Sequence, residues 1–257
     1  MREEQRRLGI QSAIFENETR RTLKLAGIKS GMHCVDIGCG YGDVSFMMAK
    51  LVGQNGSVIG IDAKKNVIEA CKERAKKENA TNVRFLVGDI YDNRLDNNSF
   101  DFVFSRFLFQ HLAEPKKALN EMIKLVKPRG IIAAEENDHG IWLSYPPSPG
   151  FEKLRRVYID LLRSYSCDEL IARKLYGLFL NAGLNAKVGA YSICIPMREP
   201  FNIMGILLAE VLKPKIRKVK LMSEKELRQM ISELKKYAKT KDGLALYALT
   251  FRVWGHK

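Results

Sequence analysis

The chain has 257 residues, of which 46% are apolar, so it can fold around a core and is not a disordered chain. Its 43 Lys and Arg against 29 Asp and Glu give a formal net charge of +14, which favours anionic partners, although a lysine-rich solvated surface explains the same excess. There is no apolar run of the roughly 20 residues that a membrane span needs, and the first residues lead into no signal-like apolar core, so we predict no secretion. The five cysteines, without a Cys-x-x-Cys pair, predict a reduced, cytoplasmic protein that has neither disulfides nor structural zinc.

Apolar runs alternate with helix-like segments from about residue 33 to residue 136. The predicted strands of this region are residues 34–37, 57–61, 83–87, 100–105 and 131–135. The predicted helices between them are residues 43–51, 64–78 and 115–126, the last stopped by a turn at 127–130. This alternation predicts parallel strands with helices on both faces of the sheet, and such sheets bind ligands outside the carboxyl ends of their strands.

The alternation breaks after residue 136. A proline-rich loop at 145–150 precedes a predicted helix at 151–165, and the later predicted elements are a helix at 171–182, a strand at 188–195, a helical insertion at 201–241 and a last strand at 244–254. We therefore predict an α/β fold with a doubly wound, mostly parallel seven-stranded sheet, an antiparallel last strand and helical lid insertions.

The same pattern divides the chain into six segments. They are an N-terminal helical segment (1–30), a cofactor-binding Rossmann-like core (31–137), a first lid insertion (138–166), a core helix and strand (167–200), a second helical lid insertion (201–242) and the final core strand (243–257).

The most informative motif lies at the end of the first strand. It places glycine at every second position, as Gly38, Gly40 and Gly42, with Cys39 as a small residue inside the loop. Glycine lets the backbone lie directly against a ligand, and the helix that follows points its free amide groups into the same space. Asp36 adds an acceptor for a positively charged group, so the motif favours a cationic, nucleoside-containing cofactor. An NAD site would favour Gly-x-Gly-x-x-Gly, but Asp43 stands where its third glycine would be.

Three further signals follow the next strands. Asp62 could accept both hydroxyls of a ribose, Asp89 could accept from an adenine amine that Ile90 covers, and Ser105 lies where the chain leaves the fourth strand. Each acid alone could be a helix cap or a turn residue. Together, at successive strand ends, they predict a nucleotide-containing cofactor.

The order of these elements resembles the class I S-adenosylmethionine-dependent methyltransferases of the small-molecule branch with a methyltransferase type 11/25 domain. The resemblance is close over residues 28–137 and holds in outline to residue 254. It implies that Asp36 and the glycine loop hold the methionine part of the cofactor. It also implies that Asp62 holds the ribose with Ala63 against the adenine. The remaining implied roles are that Asp89 and Ile90 fix the base and that the Ser105 backbone faces the methionine amine.

Two more segments carry this resemblance. Residues 109–112 are similar to the family's apolar-x-His segment after the fourth strand, and residues 125–130 are similar to its Leu-Lys-Pro-Gly-Gly turn, where Arg129 replaces the first glycine. His111 and His139, after the fourth and fifth strands, are candidates for a catalytic base or a substrate contact. His111 could equally bond within its own helix. In the polar run 135–139, Glu136 and Asp138 could orient an amine or a histidine, but a solvated loop is the favoured interpretation. No ligand spacing predicts a metal site.

The second insertion has two parts of different character. Residues 201–212 are nearly all apolar, too short to span a membrane, and predict a roof or core helix rather than a membrane contact. Residues 213–241 hold eleven Lys or Arg against three Glu. A solvated helix face is the simpler interpretation of this basic stretch, and binding to phosphates or acidic headgroups is the alternative.

These features predict an enzyme that transfers a methyl group from S-adenosyl-L-methionine to a small organic acceptor by direct in-line displacement. The expected acceptor is apolar or anionic. S-adenosylhomocysteine is the other product. The alternatives are a tRNA or rRNA methyltransferase on the same core, a non-catalytic S-adenosylmethionine-binding protein and, more distantly, a dehydrogenase. The sequence names neither the acceptor atom nor the oligomeric state.

Overall fold

A computed structural model describes residues 2–198 and 200–257. Its helices are α1 (Arg2–Ala26), α2 (Asp43–Val52), α3 (Lys65–Lys77), α4 (Pro115–Leu125), α5 (Pro149–Ser164), α6 (Ile171–Asn181), α7 (Met204–Lys218) and α8 (Glu224–Tyr237). Its strands are β1 (His33–Ile37), β2 (Ser57–Asp62), β3 (Val83–Val87), β4 (Phe100–Arg106), β5 (Val126–Asp138), β6 (Leu143–Tyr145), β7 (Asn185–Pro196) and β8 (Leu244–His256). Among the helices described, none is long and apolar enough to cross a membrane.

The strands form one sheet in the order β3-β2-β1-β4-β5-β8-β6, and β7 also pairs with β8. The pairs β1–β2, β1–β4, β2–β3 and β4–β5 are parallel, whereas β6–β8 is antiparallel. The predicted fold class is confirmed. The predicted strand number is wrong, because the described residues form eight strands. The extra strand is β6, a three-residue segment beside the proline-rich loop, and it becomes a strand only by pairing with the distant residues 244–246.

The turn before β5 also differs from the prediction. α4 ends at Leu125 and β5 begins directly at Val126, with an irregular register where β4 pairs with it between Phe100 and Phe102. Arg129 takes the left-handed conformation that glycine adopts easily, at φ +64°. The backbone shape of the family's glycine turn is therefore available to this chain although an arginine stands there.

The chain divides into two compact units. We call residues 17–136, 171–190 and 251–257 the sheet unit, and residues 1–16, 137–170 and 191–250 the helical unit. Both predicted insertions, 138–166 and 201–242, fall largely in the helical unit, but their role as a lid stays a prediction, as do the segment boundaries. Met1 and Glu199, which belong to the predicted segments 1–30 and 167–200, lie outside the described residues.

Each unit has its own apolar core. In the sheet unit, successive residues of β4 alternate between two clusters, with Phe102 and Phe104 in one and Val103 in the other, as expected for a parallel sheet that helices cover on both faces. In the helical unit, α5, α7 and α8 bury their apolar stripes together. The apolar segment of α7 contributes Ala209 and Leu212 to that core, which agrees with the predicted core role rather than a membrane contact.

Candidate cofactor site

The glycine loop after β1 is built on left-handed backbone. Gly38, Gly40 and Gly42 have φ of +70°, +53° and +81°, a region that residues with a side chain rarely adopt. A Cβ at Gly38 would lie 2.9 Å from Leu108, and a Cβ at Gly42 would lie 2.9 Å from Phe85. A Cβ at Gly40 would meet no described atom within 4 Å. Of these three glycines, Gly40 is therefore the one that has open space on the side where a Cβ would stand.

Asp62 joins the end of β2 to this loop. Its Oδ2 accepts a hydrogen bond from the Gly40 N–H at 3.1 Å, and its Oδ1 accepts from the Lys64 N–H at 2.9 Å. The Cys39 N–H donates to the carbonyl oxygen of Ile61 at 2.9 Å. The loop and the predicted ribose acid are thus neighbours in space, and the half-buried carboxylate keeps acceptor capacity for hydroxyl groups.

Asp36 is a buried acid, with 1% of its surface exposed. The Ser45 Oγ donates a hydrogen bond to its Oδ2 at 2.6 Å. Burial raises the pKa of Asp36 to about 6, against the lowering effects of Ser45 and the Arg106 guanidinium. A carboxyl held in so apolar a place gains by meeting a cation, which is the role that the sequence predicts for it.

Ser105 is fully buried on β4, in register with Ile37 of β1 and Ala134 of β5. Its Oγ has no hydrogen-bond partner among the residues that the structure describes. Buried hydroxyl groups are nearly always hydrogen-bonded, so an unpartnered one points to a missing ligand or water. The open backbone at Gly40, the buried carboxyl of Asp36 and this orphaned hydroxyl fit a cofactor that carries a positive charge and polar groups.

The remaining predicted residues follow β2 and β3. Val87, the last residue of β3, pairs with Asp62, and Asp89 lies two residues further on. Asp89 is exposed and its Oδ1 accepts from the Tyr91 N–H at 2.8 Å, whereas Ile90 is buried in the core and Ala63 is exposed. The register therefore brings the acids of β1, β2 and β3 to one edge of the sheet.

Glu136 is a functional candidate whose position the sequence did not reveal. It is fully buried at the end of β5, and it accepts hydrogen bonds from the backbone N–H groups of Leu108 at 2.6 Å, Phe109 at 2.7 Å and Gln110 at 3.3 Å. Burial raises its pKa to about 8, although these three donors act in the opposite direction. Glu136 thus fixes the 3-10 turn Phe109–His111, which presents the exposed His111 after β4.

The preference for a solvated loop at residues 135–139 is wrong, because all five side chains are buried. Glu135, for example, accepts hydrogen bonds from the hydroxyl groups of Thr19, at 2.7 Å, and Thr22, both on α1. Arg106 in turn donates to the Thr19 Oγ at 3.1 Å. Glu135 is thus satisfied by partners that lie far away in the sequence, which no local pattern reveals.

His139 belongs to the helical unit, where it lies in an aromatic cluster. The Trp142 Nε1–H donates to its Nδ1 at 3.3 Å, and the centroid of the Tyr158 ring lies 4.7 Å from that of its own ring. Since the indole N–H can only donate, Nδ1 of His139 must accept and carries no proton in this contact. The catalytic roles of His111 and His139 stay predictions.

Comparison with known proteins identifies the family. A family model described as a methyltransferase domain matches residues 28–155. The chain belongs to the class I S-adenosylmethionine-dependent methyltransferases. The resemblance seen in the sequence is thereby confirmed, and S-adenosylmethionine is the cofactor.

The relatives of this chain include curated and solved proteins. A demethylmenaquinone methyltransferase of Staphylococcus aureus is 33% identical over 143 residues, which are 56% of this chain and 56% of that protein. The chain thus spans about half the length of the curated relatives it matches. A SAM-dependent methyltransferase from Aquifex aeolicus is 25% identical with a TM-score of 0.52, covering 67% of this chain and 82% of that one.

A third relative is similar in fold alone. Phosphoethanolamine N-methyltransferase 2 of Haemonchus contortus, solved with S-adenosyl-L-methionine, is 22% identical with a TM-score of 0.60, and the match covers 97% of this chain and 57% of that one. The comparisons that we report give the RNA alternative no support.

Proposed function

We propose that this protein transfers a methyl group from S-adenosylmethionine to a small organic acceptor and releases S-adenosylhomocysteine. The proposal rests on the arrangement of three groups at one edge of the sheet unit. There, the buried carboxyl of Asp36 on β1, the carboxylate of Asp62 at the end of β2 and the backbone of Gly40 lie at the carboxyl ends of two adjacent parallel strands. When bound, the cofactor supplies a methyl group on a positively charged sulfur that is ready for a single in-line displacement.

The residues of the site would bind and orient rather than react. In the proposed arrangement Asp36 and the glycine loop hold the charged methionine part, Asp62 the ribose, and Asp89 with Ile90 the base. Holding two reactants in line can be worth roughly 7–11 kcal/mol of the barrier in favourable cases. A base is needed only for an acceptor that arrives protonated, and His111 on its ordered turn is the proposed base or acceptor contact.

For the acceptor we propose an aromatic ring of the demethylmenaquinone kind. The 33% identity to the demethylmenaquinone methyltransferase supports this, within the part of that protein that the chain matches. We also propose that the protein acts in the cytoplasm, where reduced thiols are stable. All five of its cysteines are free in the structure.

The test is the release of S-adenosylhomocysteine with reduced demethylmenaquinone and with a panel of phenols, amines and thiols. We expect turnover of the quinol by the wild type, and slower turnover by Asp36→Asn and by Asp62→Ala when S-adenosylmethionine is limiting. If S-adenosylmethionine raises the melting temperature but no acceptor yields the product, the protein is a non-catalytic binder. Submicromolar binding of tRNA that weakens steeply with salt would instead favour an RNA substrate.

A further inference from the structure

An edge strand of the helical unit displays apolar side chains outward. β6 is the last strand in the sheet order, and the side chains of residues 141–145 alternate. Ile141, Leu143 and Tyr145 are 46%, 53% and 58% exposed, while Trp142 and Ser144 between them are less exposed. Trp142 packs inward against Phe151, Tyr158 and Tyr247 in the core of the unit. An antiparallel edge strand normally presents polar residues to water, whereas the outward side chains of this strand are apolar.

Four exposed lysines flank residues that contact this apolar row. Lys235, Lys236, Lys239 and Lys241 are all exposed, at the end of α8 and in the turn that leads to β8. The residues they flank are tied to the row, because the Tyr237 hydroxyl donates to the carbonyl oxygen of Tyr145 at 3.3 Å and Leu244 pairs with Tyr145. None of the four lysines forms an ion pair within the described part of the chain, and Asp242 is the only acid among residues 235–242.

We propose that this surface, residues 141–145 with lysines 235–241, docks the protein on an anionic phospholipid membrane. Shallow insertion of apolar side chains together with lysines that attract acidic headgroups is the usual composition of an interfacial membrane contact. Tyrosine suits the headgroup level, where its ring meets the acyl boundary and its hydroxyl stays in water. The protein would rest on the membrane surface with this edge of the helical unit.

A second copy of the chain fits the surface less well. A two-fold contact across β6 would place the same patch on both copies, so the four lysines of each would face those of the other. Such like charges repel, whereas an acidic lipid surface neutralises them. The charge complementarity therefore selects the membrane.

The experiment measures the partition of the full chain onto vesicles, without cofactor or acceptor. Vesicles of phosphatidylcholine are compared with vesicles that also contain phosphatidylglycerol, by flotation at low and raised salt. We expect binding to the anionic vesicles only, and weaker binding as salt rises. Because no methyl transfer is involved, a negative result here leaves the proposed enzymatic function untouched, and the reverse also holds.

Two pairs of variants with matched controls isolate the two parts of the surface. Lys235→Gln with Lys236→Gln should lower the partition coefficient about fivefold for each lysine. The control is Lys76→Gln with Lys77→Gln, which removes two adjacent exposed lysines from the last turn of α3 and should leave binding unchanged.

Leu143→Gln with Tyr145→Gln should lower the partition coefficient at least tenfold, because the inserting side chains are gone. Its control is Tyr176→Gln with Leu180→Gln, an exposed pair one turn apart on α6. Thermal melting verifies that every variant is folded.

Three results would overturn the proposal. The first is equal binding of the wild type to neutral and anionic vesicles, or to neither. The second is a loss of binding in the control pairs as large as in the surface variants, which would reflect overall charge or apolarity. The third is a dimer in light scattering that Leu143→Gln with Tyr145→Gln converts to a monomer, since the row would then be a contact between copies of the chain.

Discussion

Lowering the pH from 7 to 5 should weaken the binding of S-adenosylmethionine about tenfold. Asp36 accepts from Ser45 in a buried site, and burial raises its pKa to about 6. If the cationic cofactor binds the ionised carboxylate, only the ionised fraction of the free protein is competent. That fraction is about nine tenths at pH 7 and about one tenth at pH 5. The same shift means that the free protein, whose folded form holds this proton more tightly than the unfolded chain, loses stability as the pH rises from 3.8 through 6.

Isothermal titration calorimetry across this pH range measures the effect directly. At pH 6, binding should also release about half a proton, which two buffers of different ionisation enthalpy reveal. Asp36→Asn is the control, because it should bind the cofactor more weakly but with little dependence on pH. Any pH dependence of affinity that remains in this variant is due to other titratable groups. An affinity in the wild type that is constant between pH 5 and 7 would refute the placement of Asp36 against the charged part of the cofactor.

Three further substitutions test the site. Asp62→Ala should weaken cofactor binding by more than tenfold, since losing a hydrogen bond to a charged group costs roughly 1.5–3 kcal/mol, and unchanged affinity in calorimetry would contradict the ribose role. Gly40→Ala should abolish most cofactor binding. Its left-handed backbone strain should lower the free energy of unfolding by only about 1–2 kcal/mol. Gly42→Ala should lower the melting temperature further, because its Cβ would also meet Phe85. His111→Ala should lower turnover while cofactor affinity holds, and equal turnover with every accepted substrate would remove His111 from the catalytic candidates.

The strand ends that form the candidate cofactor site were largely predictable because their signals are local. A glycine at every second position requires left-handed backbone, and the three glycines have it. Apolar runs that alternate with helical periodicity predict parallel strands, and parallel strands bring their carboxyl ends to one edge. Asp36, Asp62 and Asp89 therefore lie at the same edge of the sheet, as their positions at the ends of the strands indicate.

What the sequence could not determine depends on partners far along the chain. β6 exists only because residues 143–145 pair with residues 244–246, and a proline-rich context by itself predicts a loop. Nothing near Glu136 shows that its carboxylate accepts from three amides of a distant turn, so it could not be distinguished from a solvated acid.

The sequence by itself thus determined the alternation of strands and helices over residues 33–136, the glycine loop and the acids at the ends of the strands. Each of these depends on the conformational freedom of single residues or on the period of a short segment. Only the tertiary structure decided which polar residues are buried, which turn carries His111 and which apolar side chains remain exposed at the edge strand. Burial and hydrogen bonding are set by whichever groups the folded chain brings together, and those groups are separated by tens to hundreds of residues.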